Sequence, residues 1–233
     1  MNLENKVALV TGANRGLGRH FAEQLLARGA KKVYATARRP ELIDLDGVET
    51  LPLDITDPAS VAAAAAQAPD VTLLINNAGA ASGANLVAGR LEDIRADMDT
   101  FFYGTLAMIR AFAPILRDNG GGAILNVNSA SSWVAAGQAD AYHAAKAAEW
   151  AMTNAVRQEL AAQRTQVTGF YLAMTDTGHQ DWWPGPLNDA AEMVAKALDG
   201  LEAGTPEVIA DDLTAAAKAA LAEPPVPYTG PGN

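Results

Sequence analysis

Tyr142 and Lys146 stand four residues apart, a spacing and pair of types that could do acid–base chemistry. On a helix, residues i and i+4 share one face, so a phenol and an ammonium would lie side by side. Free tyrosine ionises only near pH ~10, and a neighbouring cation stabilises its phenolate form. Such a tyrosine can donate or accept a proton near neutral pH. The same spacing also occurs on ordinary surface helices, so the pair alone assigns no function.

A glycine-rich segment near the N-terminus gives the pair a context. The apolar run Val7–Val10 is typical of a buried parallel strand, and Thr11-Gly12-Ala13-Asn14-Arg15-Gly16-Leu17-Gly18 follows it, ahead of an amphipathic stretch at 20–28. Glycines between a strand and a helix let the backbone approach a diphosphate, which the helix N-terminus attracts. The spacing G-x3-G-x-G differs from the common G-x-G-x-x-G pattern. An ordinary turn with packing glycines is the alternative interpretation.

Composition limits the class of protein. The 233 residues suit a single domain over 1–233, with a Pro/Gly-rich terminal tail at 223–233. Without cysteine there are no disulfides or thiolate metal sites, and three scattered histidines give no reason to expect a metal. A net charge of −10 argues against nucleic acid and anionic membranes as partners. No apolar run approaches the ~20 residues of a membrane span and no signal-peptide pattern is seen, so a cytoplasmic location is predicted.

Apolar strand-like runs alternate with alanine-rich helical stretches, which predicts an α/β fold with a parallel sheet and helices on both faces. Asp57 and Pro58 are expected to begin the second helix, as N-cap and first-turn residue. The predicted strands lie near 6–11, 32–36, 49–53, 71–76, 122–128, 166–172 and 206–210, and the predicted helices near 16–28, 58–68, 92–117, 141–163, 189–201 and 211–222.

Four motifs stand in order along the chain: Thr11-Gly12-x3-Gly16-x-Gly18, Asn76-Asn77-Ala78-Gly79, Ser129 and Tyr142-x3-Lys146. By these motifs the chain resembles the short-chain dehydrogenase/reductase family over nearly its whole length, and Ser129 precedes Tyr142 by the thirteen residues usual in that family. The resemblance implies a Rossmann-like, doubly wound parallel sheet of about seven strands and a nicotinamide-dependent oxidoreductase.

The resemblance also implies catalytic roles. Tyr142 would be the general acid or base, and Lys146 would support it and hold the nicotinamide ribose. Ser129 would orient and polarise the substrate carbonyl, with Ser131 as the neighbouring hydroxyl to test next.

The end of the second strand indicates which cofactor is used. An acidic residue there would bind the ribose hydroxyls and repel a 2′-phosphate, but Ala37 takes that place and Arg38 follows it. A guanidinium suits a phosphate, and Arg15 is a second candidate, so NADP(H) is predicted over NAD(H). The alternatives are a merely solvated basic corner at Arg38 and, for Asp54, a helix cap in place of an adenine contact. The predicted cofactor-binding residues are Gly12, Asn14, Arg15, Gly16, Leu17, Gly18, Arg38, Asp54, Ile55, Asn76, Ala78, Gly79, Tyr142, Lys146 and Thr177.

Two segments depart from the family pattern. Phe101 stands where relatives commonly carry an asparagine, thought to bend the helix and bind a proton-relaying water, and a phenyl side chain can do neither. Either the relay runs through water alone, or another residue substitutes, or the pocket is reshaped for a bulky apolar substrate. Leu172-Ala173 replaces the usual Pro-Gly, while Thr177 matches the family's threonine beside the nicotinamide.

Aromatic residues predict an apolar substrate pocket. Trp182 and Trp183, on a Gly/Pro-rich loop, are expected to form one wall, with Trp133 and Val134 opposite and Phe101 nearby. Packing of one tryptophan on the body and the other on a neighbouring subunit is an equal alternative.

These features together predict an NADPH-dependent carbonyl reductase or alcohol dehydrogenase for a small-to-medium, apolar ketone or secondary alcohol. Family analogy predicts a homodimer or homotetramer. The alternatives are a redox-sensing NADP(H)-binding regulator with vestigial catalysis and a lyase on the same scaffold.

Overall fold

A computed structural model describes residues 1–135, 137–178 and 184–224. Within these residues seven strands form one sheet in the order β3-β2-β1-β4-β5-β6-β7, and every neighbouring pair is parallel. The predicted seven-stranded parallel sheet is therefore confirmed. The strands are β1 (Val7–Thr11), β2 (Lys32–Ala37), β3 (Glu49–Pro52), β4 (Leu73–Asn76), β5 (Gly122–Val127), β6 (Thr165–Tyr171) and β7 (Glu207–Ile209).

Helices alternate with these strands and cover the sheet. The second begins as predicted, because Asp57 accepts a hydrogen bond from the Ala59 amide at 2.9 Å and Pro58 occupies the first turn. Among the described residues, no helix is both long and apolar enough to cross a membrane. The helices are α1 (Gly16–Ala27), α2 (Pro58–Gln67), α3 (Leu91–Met98), α4 (Thr105–Asp118), α5 (Asp140–Glu159), α6 (Ala190–Glu202) and α7 (Asp212–Ala219), with short 3-10 turns at Pro40–Leu42, Ala130–Ser132, Ala161–Gln163 and Ala220–Ala222.

The single helix predicted near 92–117 is wrong in one respect. A π-helical stretch, Asp99–Gly104, separates α3 from α4, and Phe101 lies within it. π-Helical turns interrupt the regular ladder of hydrogen bonds, are a recognised origin of helix kinks and are frequent at functional sites. The helix is therefore irregular at this point, although position 101 carries a phenylalanine and not an asparagine.

Both faces of the sheet are buried, which explains the continuously apolar strands. In β1, Ala8 and Val10 belong to a core shared with α1 and α6, while Val7 and Leu9 belong to a second core shared with α2, α4 and α5. Successive residues of one strand thus anchor opposite helical layers. The central strands form a rigid platform whose carboxyl ends share one edge.

The order of the strands reverses between β1 and β4. β2 and β3 continue to one side of β1, and β4 to β7 continue to the other. In open parallel sheets, ligands bind at such a reversal, beyond the carboxyl ends of the strands. Thr11 ends β1 and Asn76 ends β4, so the glycine-rich turn and Asn77-Ala78-Gly79 meet at this point.

Candidate active site

A cleft of about 1950 Å³ opens at the carboxyl ends of the central strands. Sites for drug-sized ligands commonly measure about 300–1,000 Å³, so this cleft has room for a dinucleotide and a substrate together. Most of the residues predicted from the sequence line it. They are Gly12, Asn14, Arg15, Gly16, Leu17, Arg38, Asp54, Ile55, Ala78, Gly79, Phe101, Ser129, Ser131, Val134, Tyr142, Lys146 and Thr177.

The glycine turn brings backbone to the cleft surface. Gly12 and Gly16 have φ values of +68° and +52°, a region that side chains disfavour. A Cβ on Gly12 would lie 2.9 Å from Ala78 Cα, and one on Gly16 would lie 2.8 Å from Thr177 Cβ. Arg15 precedes α1, and no side chain of the described residues caps that helix. The first-turn N–H groups and the helix dipole are therefore available to an anion.

Gly18 was predicted to bind the cofactor, but it is not among the residues that line the cleft. A Cβ at this position would lie 2.1 Å from the Gly12 carbonyl oxygen. Gly18 therefore lies behind the surface of the cleft. Because it has no side chain, the first turn of α1 can pack directly against the Gly12 carbonyl.

Asn76 was also predicted to bind the cofactor, and its side chain lies elsewhere. Its amide is buried between β4 and β5, where Nδ2 donates to Asn126 Oδ1 at 2.9 Å. The next residue, Asn77, is the one that ties the loop together: its Nδ2 donates to the Thr11 carbonyl at 2.9 Å and its N–H to Thr11 Oγ1 at 2.9 Å. Asn76 is the last residue of β4 and Asn77 is the first residue of the loop beyond it, which explains why their side chains have different partners.

Basic side chains line the end of the cleft beside β2. Arg38 and Arg39 follow that strand, and Arg15 reaches the same cleft from the glycine turn. The hydroxyl of Thr56 donates to Asp54 at 2.7 Å and is the main reason that the pKa of Asp54 is lowered, with the Arg38 guanidinium adding to the effect. Asp57, and not Asp54, caps α2. Three guanidinium groups and one carboxylate leave this end of the cleft with a positive balance.

Ser129 and Tyr142 reach the cleft from two neighbouring elements. Ser129 follows β5 and caps a 3-10 turn, where its Oγ accepts a hydrogen bond from the Ser131 N–H at 3.1 Å. Tyr142 lies in the first turn of α5, and the start of that helix is anchored to the opposite loop by a bond from Ala141 N to Ala84 O at 3.1 Å. The Ser129 hydroxyl and the Tyr142 phenol therefore line the same cleft, although they belong to segments that are anchored separately.

Lys146 lies one turn beyond Tyr142 on α5, as the spacing predicts. Its Nζ donates to the Val127 carbonyl at 2.7 Å and to Glu149 Oε2 at 2.6 Å. The same Nζ lies 4.6 Å from the centre of the Phe101 ring and 5.9 Å from that of Tyr142. The ammonium is therefore enclosed by a carbonyl, a carboxylate and two aromatic rings.

Phe101 forms part of the floor of the cleft. Its ring packs edge-to-face on Tyr142, with centroids 5.0 Å apart. It also fills the space beside Gly79, where a Cβ would lie 2.3 Å from Phe101 Cε1. The ring thus occupies space beside Gly79, which is one of the predicted cofactor-binding residues.

Glu149 is a buried carboxylate that the sequence interpretation missed. Burial raises the pKa of Glu149, and the Lys146 ammonium opposes that rise. Thr105 donates a long hydrogen bond of 3.4 Å to its other oxygen. The i+3 spacing from Lys146 was the available signal, because residues three apart on a helix are neighbours.

Trp133 does not line the cleft as predicted. Its ring stacks on Tyr171, with centroids 4.5 Å apart, and packs edge-to-face on Trp150. The 3-10 turn Ala130–Ser132 directs Trp133 toward α5 and β6 while the adjacent Val134 faces the cleft. Trp182 and Trp183 lie outside the described residues.

Several lining residues had no sequence signal that pointed to the cleft. Tyr103 belongs to the π-helical stretch, and Leu213 reaches the cleft from α7, far along the chain. Both are large and exposed apolar side chains. Their position depends on the packing of whole elements, which a local pattern does not give.

Comparison with known proteins agrees with the fold. The family model described as short chain dehydrogenase matches residues 6–184. A short-chain dehydrogenase from Burkholderia cenocepacia J2315, solved in complex with NADP, superposes with a TM-score of 0.91 at 40% identity, covering 96% of this chain and 95% of that one.

Curated relatives agree with the structural match. An NADPH-dependent 1-acyldihydroxyacetone phosphate reductase of Schizosaccharomyces pombe is 37% identical over 196 residues, which are 80% of this chain and 65% of that protein, so the match spans less than two thirds of that relative. An uncharacterised oxidoreductase of Staphylococcus saprophyticus is 28% identical over 87% of this chain and 93% of its own length. The chain belongs to the short-chain dehydrogenase family of oxidoreductases.

Proposed function

We propose that this protein is an NADPH-dependent carbonyl reductase, or in the reverse direction an alcohol dehydrogenase, with Tyr142 as its general acid or base. The observation that supports it best is the convergence of Ser129, Tyr142 and Lys146 in one cleft with the glycine turn and Arg38. The NADP complex of the Burkholderia relative and the cofactor in the name of the fission-yeast relative favour the same assignment.

The residues of the cleft fit a phosphorylated dinucleotide. Gly12 and Gly16 leave the turn without side chains, and the first N–H groups of α1 suit a diphosphate. Arg15 and Arg38 are placed to bind a 2′-phosphate, since the end of β2 presents Ala37 where an acidic residue would favour NAD(H). Asp54 and Ile55 would border the adenine, and Ala78, Gly79 and Thr177 the nicotinamide end.

Tyr142, Lys146 and Ser129 would perform the proton chemistry. The bound dinucleotide supplies a hydride to the carbonyl carbon. In reduction, Tyr142 gives its phenolic proton to the carbonyl oxygen as negative charge develops there. Lys146 stabilises the resulting phenolate through its positive charge, and it would hold the nicotinamide ribose. The Ser129 hydroxyl donates a hydrogen bond to the same carbonyl oxygen, which orients the substrate and stabilises the charge. In oxidation each proton moves in the opposite sense.

The substrate is proposed to be an apolar ketone or secondary alcohol. Phe101, Tyr103, Val134 and Leu213 give the cleft apolar surface, and Ser131 adds a second hydroxyl. Trp182 and Trp183 are proposed to complete this wall. The protein is expected to form a homodimer or homotetramer, which light scattering on the purified chain measures.

The first experiment follows NADPH oxidation by absorbance with a panel of aryl and aliphatic ketones, and with 1-acyldihydroxyacetone phosphate after the fission-yeast relative. Tyr142→Phe removes only the hydroxyl and keeps the ring contact with Phe101, so the expected loss in kcat is about 10²–10⁴-fold. The control, Tyr34→Phe, removes a phenol that does not line the cleft and is expected to retain activity. Tight NADPH binding without turnover of any carbonyl contradicts the proposal and favours a redox-sensing regulator.

A further inference from the structure

Lys146 has a partner on the side that faces away from the cleft. Its Nζ is 2.6 Å from Glu149 Oε2, and the two side chains belong to adjacent turns of α5. Lys146 lines the cleft, whereas Glu149 is not among the lining residues and only 2% of it is exposed. The proton chemistry of Tyr142 uses the lysine and leaves this carboxylate without a role.

The surroundings of Glu149 contain a single cation among the described residues. Lys146 faces it from its own helix, and from α4 Thr105 donates the bond of 3.4 Å. From β6 the neutral Tyr171 phenol interacts with it, and burial raises the pKa of that phenol above its usual range. From α3, Asp97 is engaged elsewhere, where it accepts bonds from the N–H and hydroxyl of Ser82 at 2.8 Å and 2.9 Å. Lys146 is therefore the group whose charge Glu149 balances.

Packing alone gives no reason for an ion pair at this position. Taking two charges out of water is costly, and apolar side chains of similar volume are often equally or more stable than a buried pair. Further along α5, the buried residues Met152, Thr153 and Val156 carry no charge. A charged residue beside the catalytic lysine calls for a role connected with that lysine.

The geometry restricts the ammonium to one arrangement. An ammonium has three donors, and the Val127 carbonyl and the Glu149 carboxylate accept from it on the side away from the cleft. The Phe101 ring lies 4.6 Å from Nζ and offers it no carboxylate or carbonyl oxygen. Among the described residues, Glu149 therefore supplies the anionic contact to the lysine.

We propose that Glu149 is a positioning residue of the active site, which holds the Lys146 ammonium in place from behind the cleft. The inference rests on the proposed function, because Lys146 needs its charge and position only if Tyr142 transfers a proton.

The test compares Glu149→Gln with the matched control Glu159→Gln, an identical change at an exposed position of the same helix. The glutamine keeps the shape and one oxygen of the side chain but removes its charge. We expect kcat for carbonyl reduction to fall by about 10- to 100-fold. The KM for the carbonyl should stay within about threefold, because Glu149 does not reach the substrate. Glu159→Gln should match the wild type.

The pH profile separates positioning from a general structural effect. Glu149→Gln removes the negative charge 2.6 Å from the Lys146 ammonium, and a nearby anion favours the protonated form of groups that titrate beside it. The variant should therefore move the alkaline limb of the kcat profile to lower pH by about one unit. An unchanged limb and an unchanged kcat in Glu149→Gln overturn the proposal.

A second readout does not depend on turnover. In protein labelled with 15N-lysine and free of cofactor, the Nζ protons of Lys146, assigned from Lys146→Met, should exchange with water faster in Glu149→Gln than in the wild type, because the charged acceptor at 2.6 Å is lost. If the wild type reduces no carbonyl, the proposed function fails, and this exchange measurement alone decides whether Glu149 holds the lysine. Should Glu149→Gln not fold, Glu149→Asp, which keeps the charge but shortens the reach, replaces it, and wild-type kcat in that variant overturns the proposal.

Discussion

Lys146 and Glu149 form a buried ion pair, and its effect on stability can be tested apart from its proposed role in catalysis. Lys146 is 5% exposed and Glu149 2% exposed, so each charge is shielded from water and depends on the other. Removal of one partner from such a pair leaves an uncompensated buried charge, whereas apolar replacement of both restores a neutral interior. The loss in the free energy of unfolding that follows the removal of one charge can therefore be measured at this pair.

Lys146→Met should destabilise the fold in a pH-dependent way. Burial raises the folded-state pKa of Glu149 above its unfolded value of ~4.3, so the folded state holds this proton to higher pH and loses stability as the pH rises past that value. Lys146 offsets the loss in the wild type. The deficit of the variant should be small near pH ~4 and reach about 3–5 kcal/mol at neutral pH. Urea unfolding at several pH values measures it.

The double variant Lys146→Met with Glu149→Leu is the control for this prediction. It removes the carboxylate as well, so most of the lost stability should return and the pH dependence should disappear. A double variant as unstable as the single one would show that packing, and not charge, causes the loss.

Substitution of Arg38 tests whether this residue selects NADPH over NADH. Hydrogen bonds to charged groups contribute about 1.5–3 kcal/mol, so Arg38→Ala should raise the Kd for NADPH by about 10- to 100-fold and leave NADH nearly unchanged. Arg39→Ala removes the adjacent guanidinium and serves as the control. A specific contact at Arg38 predicts a large loss of NADPH affinity only in Arg38→Ala, whereas a merely solvated basic corner predicts similar losses in both variants. Equal losses in the two variants, measured by fluorescence titration, contradict the assignment to Arg38.

At the scale of elements, sequence periodicity predicts nearly all of this architecture and fails where geometry is irregular. The seven strands follow from apolar runs, and Asp57 and Pro58 mark the start of α2 correctly. The π-helical stretch Asp99–Gly104 uses ordinary helical residue types, so nothing in the pattern distinguishes it from a continuous helix. The direction of Trp133 likewise depends on the 3-10 turn before it. The Tyr142-x3-Lys146 motif is local, so its place on one helix was predictable, while the walls of the cleft come from distant elements.

The connection from α5 to β6 contains a residue whose backbone conformation should affect stability. Arg164 ends a 3-10 turn there with a φ of 61° and a ψ of 35°, a left-handed conformation that glycine tolerates best. The side chain is exposed, so its removal changes the backbone preference more than the packing. Arg164→Gly should be more stable than Arg164→Ala by about 1 kcal/mol. Thermal unfolding compares the two variants, and an alanine variant of equal stability argues against strain at this position.

At the scale of the whole molecule, a net charge of −10 coexists with a basic end of the cleft. Charges further apart than the Debye length of ≈ 8 Å at physiological salt are largely screened, so an anionic cofactor responds mainly to the nearby Arg15, Arg38 and Arg39. The acidic surface thus does not oppose the proposed binding of NADPH. Residues from β1 to α7 line the cleft, so a ligand that fills it would contact elements from both ends of the described chain.

This arrangement predicts that NADPH stabilises the whole domain. A ligand at 100 times its Kd contributes about 2.7 kcal/mol to the folded state, which corresponds to a rise in Tm of about 5–10 °C for a chain of this size. NADH at the same concentration should raise Tm less, because it lacks the 2′-phosphate that Arg15 and Arg38 would bind. In Arg38→Ala, NADPH and NADH should raise Tm by similar amounts. In Arg164→Ala, which is remote from the cleft, NADPH should still raise Tm more than NADH does. Equal shifts for NADPH and NADH in the wild type would mean that the guanidinium groups beside β2 do not select the cofactor.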